Sequence, residues 1–247
     1  MNLSSPGKTC AATLSEMLVA VGIIGLIAAL TLPVVNRLRV AAKATMNLSN
    51  HRQIASALIA YAAEHQGVLP YSQANQEVSA SGTKETYPRT LCLGGYVSDP
   101  AIFFSPLAAP WYLNTRAFQN PKSNSISPWF YTHYAANRYG AMPYQEKNYH
   151  PANLRRVAAD GNLSRLMLLR DNYRADYDTP GQPYGGGLIW FSSGKDTPPP
   201  DKSYHGLVHT AFADGHVEVY RREEIIPLLD DLPYKEPPLF NRLYTLP

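Results

Sequence analysis

The chain has 247 residues and a net charge of +3, from 22 Lys and Arg against 19 Asp and Glu. Its basic residues are scattered and form no stripe along a helix face, which argues against a nucleic-acid partner. Its two cysteines, Cys10 and Cys92, suit neither a metal pair nor a redox pair, so neither a disulfide framework nor a cofactor is implied. With 21 Pro, 16 Gly and 17 Tyr, the part outside any anchor is expected to be rich in loops, with short strands and half-buried aromatic surface.

Residues 1–11 are short and polar, carry Lys8 and cannot form a core, so they read as a cytoplasmic leader. A lipoprotein role for Cys10 fails because the apolar run follows the cysteine. That run, Thr13 to Val35, contains nineteen consecutive uncharged residues from Met17. At about 1.5 Å per residue they cross a hydrocarbon layer of about 30 Å, which predicts a membrane span over about 14–35. Glu16 stands at the entrance, where an acid beside hydrocarbon is costly and therefore a functional candidate. Pro33 stands near the exit, where it removes a backbone donor and is expected to kink or locally melt the helix.

Beyond the apolar run, Ile54, Leu58, Tyr61 and Ala62 recur at helical spacing, and Gly67 offers a stop. One long helix is therefore expected over 12–66, apolar all round in its first half and amphipathic in its second. Asn47, Ser49 and Asn50 mark a weak spot where it would bend or restart. Residues 67–247 form a head. Leu91–Val97, Ile102–Ser105, Trp129–Tyr134, Arg165–Leu169 and Leu188–Ser192 each read as a short strand or a turn of helix.

The clearest local signal in the head is 205–221, where Asp214-Gly215 separates two alternating runs and predicts a hairpin closed by a two-residue type I′ turn. In that register Phe212 faces Val217, and Val208, Thr210, Phe212, Val217 and Val219 share the core face. His209, His216 and Glu218 fall on the other face. The tail, 222–247, reads as an irregular arm over the head.

At both ends the chain resembles the bacterial type IV pilin and pseudopilin class, in particular large prepilin-like proteins whose heads end in a His, a nine-residue gap and Asp-Gly. Thr13-Leu14-Ser15-Glu16 matches the later part of the prepilin processing motif, which places the cut after Ala11 and the first mature residue at Ala12. Ala11 stands where Gly is usual and Ala12 where Phe is usual. Glu16 and Pro33 both fit that frame. Asn50-His51-Arg52-Gln53-Ile54, Gly67-Val68-Leu69-Pro70 and Phe212-Ala213-Asp214-Gly215-His216-Val217 continue the likeness; from His205 the gap to Asp214 is eight residues. Tyr71 to Lys202 is unaligned.

The resemblance implies an α+β fold in which a long N-terminal helix packs on a head with an antiparallel sheet. It also implies a non-enzymatic subunit of a type IV pilus or type II secretion pseudopilus, spanning the bacterial inner membrane once. The head would lie in the periplasm or on an extracellular fibre. Its partners would be itself or other pilins and pseudopilins, the prepilin peptidase, the inner-membrane assembly platform and the membrane. The amine of mature Ala12 in one subunit would pair with Glu16 of its neighbour.

Several readings compete with these. Ala42-Lys43-Ala44 has the form of a secretory cleavage site. Arg37, Arg39 and Lys43 outnumber Lys8, so charge alone would place the head in the cytoplasm, and the resemblance is followed instead. His205, His209, Asp214, His216 and Glu218 invite a metal reading, set against a purely structural hairpin. Trp111, Trp129, Tyr131 and Trp190 would serve as core packing or as a ligand platform. The alternative class is a membrane-anchored periplasmic binding module that never polymerises.

Overall fold

In the computed structural model, residues 14–77, 84–106, 132–137, 140–143, 145, 150–171, 190–191, 207–221 and 224 are described. Ala11, Ala12, His205, Trp111, Trp129, Tyr131 and the tail beyond Glu224 lie outside this set. The chain divides into two compact units at Lys43/Ala44.

The first unit contains the apolar part of helix α1, which runs without interruption from Leu14 to Glu64. This is one helix long and apolar enough to cross a membrane, and no part of its most apolar stretch is buried inside the protein. Such exposure is uphill in water and downhill in hydrocarbon, because apolar side chains lose stabilisation when hydrated. Glu16 lies in the first turn, where the helix dipole favours an acid.

In the second unit, the C-terminal half of α1 belongs to the head. Ile54, Ala55, Leu58 and Ala62 are buried and contribute to one core with Leu69, Tyr87, Leu91, Tyr134, Leu169 and Ala211. The helix does not break at Asn47, Ser49 and Asn50; Asn47 is fully buried, and its side chain bonds to partners outside the helix, so its polarity anchors the helix and does not end it. The stop falls close to the expected place. Gly67 N–H donates to the Ala62 carbonyl at 2.6 Å, with Gln66 and Gly67 both at positive φ. A Cβ at Gly67 would sit 2.7 Å from Asn153 Oδ1, so the close approach as well as the backbone angle requires glycine.

The remaining elements are short. Strands β1 (Gln73–Glu77) and β2 (Lys84–Thr86) form a separate antiparallel pair, followed by helix α2 (Tyr87–Leu93) and a 3₁₀ turn over Pro100–Phe103. Then come β3 (Tyr134–Asn137), helix α3 (Leu154–Ala159), β4 (Met167–Asp171), β5 (Trp190–Phe191), β6 (Leu207–Phe212) and β7 (Val217–Arg221). The main sheet has the order β5-β3-β4-β6-β7; β3, β4, β6 and β7 are antiparallel neighbours, and β5 adds parallel to β3. This is an α+β layout, with the long helix and a four-stranded antiparallel sheet as expected.

The hairpin forms, but in a different register. Ala211 pairs with Val217, Thr210 with Glu218 and His209 with Val219, one residue away from the expected pairing. Phe212 N–H donates to the His216 carbonyl at 3.0 Å, so the loop holds three residues, Ala213, Asp214 and Gly215. Gly215 has φ +89° while Asp214 has no positive φ, which excludes a type I′ turn and fits a three-residue loop closed by a left-handed glycine. The one-residue slip turns β7 over. Val217 and Val219 therefore lie on the same face as Ala211 and His209, and Val219 is 46% exposed. On the opposite face Val208 and Phe212 cluster with Ala135 and Met167, with Tyr220 against them.

Candidate functional site

The densest polar chemistry in the head lies between α1 and the sheet. Asn47 and His51 stand one turn apart on α1, so both project toward the sheet. Asp171 ends β4 and His209 lies on the neighbouring β6. All four are buried, with exposures of 0%, 0%, 1% and 5%. Polar groups removed from water must find partners inside the protein.

Asp171 is the acceptor at the centre. Its carboxylate takes hydrogen bonds from the backbone N–H of His209 at 2.9 Å, His209 Nδ1 at 2.7 Å and the Asn47 amide nitrogen at 3.1 Å. Burial opposes its ionisation, but nearby His51 and the bonds from His209 more than offset this, so its pKa is lowered and it stays a carboxylate. His209 shows the complementary balance. Burial disfavours its charge, yet its bond to Asp171 and the charge attraction raise its pKa.

His51 is held differently. Its Nδ1–H donates to the Asn47 carbonyl at 3.0 Å, which leaves Nε2 at 3.5 Å from Asp171 Oδ1. Burial outweighs the attraction of Asp171, so its pKa is lowered. Its ring meets Tyr134 edge to face at 4.5 Å between centroids.

The other end of the Asn47 side chain ties in two further elements. Asn47 Oδ1 accepts from Tyr134 OH on β3 at 2.7 Å and from Ser105 Oγ, just beyond the 3₁₀ turn, at 2.8 Å. Ser105 N–H in turn donates to His133 Nδ1 at 2.8 Å, and burial holds His133 neutral with a pKa near 3. Tyr87 of α2 donates to the Tyr134 carbonyl at 2.6 Å. One helix position thus joins α1 to β3, β4, β6 and the 3₁₀ turn.

Ser105 Oγ donates to the Asn47 amide oxygen, and the imidazoles that meet Asp171 are buried. What the cluster does chemically is fix the seat of α1 on the sheet.

The other residues singled out from sequence are placed elsewhere. Glu16 lies in the exposed first turn of α1, and α1 continues through Pro33. Asp214 and His216 stay at the hairpin turn, where Asp214 Oδ1 accepts from His216 N–H at 3.1 Å and from its Nδ1 at 2.5 Å. The His216 ring stacks on Phe212 at 4.3 Å, and its Nε2 lies 3.6 Å from Glu218. His209 is separated from them by burial. Among the described residues, no group of three His, Cys, Asp or Glu is placed to hold a metal. Cys92 is a partly buried thiol, its pKa pushed up to about 12 by burial and by Asp99.

Asp171, Ser105 and Tyr134 were not visible as site residues in the sequence. Asn47, His51 and His209 were, but as a helix defect, a motif fragment and a residue of the outer hairpin face. The one available signal was the pair Asn47 and His51, two polar residues one turn apart on the face where the apolar repeat begins.

Comparison with protein-family models, curated proteins and solved structures finds no significant match.

Proposed function

We propose that this chain is a structural subunit of the type IV pilin and pseudopilin class. In this reading residues 14–35 anchor it once in the bacterial inner membrane, prepilin peptidase cuts after Ala11, and an assembly platform builds it into a fibre with itself or other pilins and pseudopilins. The head then lies in the periplasm or on the fibre and carries no catalytic role. The observation that carries the proposal is the division of α1. Its first half is apolar and unburied with a single acid, Glu16, while its second half is the core of the head.

Such a helix needs apolar surroundings at one end and a fixed head at the other. A bilayer supplies the first, and so does a bundle of like helices in a fibre. A carboxylate beside hydrocarbon is costly, and in this reading the amine of a neighbour's Ala12 pairs with Glu16 once the leader is removed. The buried cluster on Asp171 supports the reading from the other side, since it holds α1 in one seat against the sheet.

The test is expression in a bacterium that carries a prepilin peptidase and assembly platform, followed by mass spectrometry of the mature N-terminus. A methylated Ala12 is the expected result, and Glu16→Val is expected to remain in the membrane fraction while fibres disappear. Normal fibres from Glu16→Val would refute the assembly role. A mature terminus at Thr45 would show secretory cleavage instead, and an uncut, monomeric membrane form would favour the anchored binding module.

A further inference from the structure

A second feature of the head lies where the end of α1 meets the loop before α3. Tyr61, His65, Tyr71, His150, Asn153 and Arg156 surround an open recess of about 500 Å³. This lies within the range of roughly 300–1,000 Å³ usual for small-molecule sites. Among the described residues that line it there is no Asp or Glu, whereas the guanidinium of Arg156 brings a positive charge and the imidazole of His150 a further nitrogen to one place. The remaining walls are aromatic or apolar.

The recess is built on a fixed floor. Leu69 N–H donates to the Ala152 carbonyl at 3.1 Å, Leu154 N–H to the Gly67 carbonyl at 2.7 Å, and Val68 bridges Asn153. Asn153 Oδ1 accepts from the backbone N–H groups of Arg155 and Arg156, which sets the start of α3 and with it the position of Arg156. His65 is held by the bond from its Nδ1–H to the Tyr61 carbonyl at 2.8 Å and by stacking on the Tyr61 ring at 3.8 Å. A preformed wall of this kind lowers the ordering cost of binding.

We propose that this recess binds a small ring-bearing anion, its carboxylate or phosphate held by the Arg156 guanidinium and its ring laid against the Tyr61, His65 and Tyr71 walls. The planar fork of arginine matches either anion with two parallel hydrogen bonds, and aromatic walls favour a flat apolar ring over a hydrated inorganic ion. The site lies wholly within the head, so it does not depend on whether the chain assembles into a fibre.

Calorimetric titration of the full chain in a nonionic detergent tests this with three probes: benzoate, phenyl phosphate and neutral benzyl alcohol. At least one anion is expected to bind with a Kd of about 1 mM or tighter, and benzyl alcohol at least about tenfold more weakly. Preference between the anions identifies which headgroup the site takes. Arg156→Gln is expected to weaken anion binding at least about tenfold, whereas Arg155→Gln, which removes the same charge from the adjacent position, changes it by less than about twofold. Absence of saturation by either anion, equal binding of benzyl alcohol, or equal losses in the two arginine variants would each overturn the proposal. If circular dichroism shows Arg156→Gln unfolded, His150→Gln takes its place, with a loss of several-fold expected and unchanged affinity counting against the site.

Discussion

Asp171 is a carboxylate buried among two histidines and an amide, and its removal is the most informative single change in the head. Asp171→Ala leaves the donors of His209 and Asn47 without their acceptor, and breaking a buried charged pair in this way costs about 3–5 kcal/mol. Urea denaturation of the head should show that loss. The histidines set the sign of the pH dependence. His133, held near 3 by burial, stays neutral when folded, while the unfolded chain takes up its proton at about 6.5, so its contribution is lost as pH falls below that value. His51 is shifted in the same direction by burial, and Asp171 loses its contribution as pH falls through its lowered folded value. His209 is raised, so its contribution is present below about 6.5 and lost as pH rises through its folded value. Acid therefore destabilises the head, with a slope of about 1.4 kcal/mol per pH unit for each proton the unfolded state takes up. His133→Gln should flatten the dependence of the urea midpoint on pH between about 6 and 4; an unchanged slope would show that His133 is charged in the fold.

At the scale of elements, the helix was legible and the hairpin only partly so. Nineteen uncharged residues followed by Ile54, Leu58 and Ala62 at helical spacing have no other regular solution, and Gly67 ends the helix where a left-handed turn is needed. Asp-Gly marks a turn, but it suits both a two-residue loop and the last two places of a three-residue loop. Pairing across the sheet chose the second and turned β7 over. The register is directly testable: a cysteine pair at Leu207 and Arg221, which face each other, should form a disulfide, and a pair at Val208 and Arg221, opposite in the register expected from sequence, should not. At the turn, Gly215→Ala forces a side chain into φ +89° and is expected to lower stability by about 1 kcal/mol in thermal denaturation.

For the whole molecule, the boundary at Lys43/Ala44 separates a unit defined by exposed apolar surface from one with a buried core. A chain starting at Ala44 is expected to remain in the aqueous phase of a detergent partition while the full chain enters the detergent phase. Near-UV circular dichroism should show the head's aromatic packing retained. Retention of the shortened chain in detergent would mean that the head itself carries the membrane affinity.

The sequence by itself determined a long helix apolar enough in its first half to cross a membrane, and the existence of a hairpin, because each rests on local composition or periodicity. Tertiary structure decided the rest. Asn47, His51, Ser105, Tyr134, Asp171 and His209 lie up to 162 positions apart, and only the stacking of α1 on a sheet ordered β5-β3-β4-β6-β7 brings them together. A polar residue in a helix reads as a defect when its neighbours in sequence are all that is known. Here burial makes Asn47 a fastening point, since once desolvated its amide must bond to whatever the fold places opposite it.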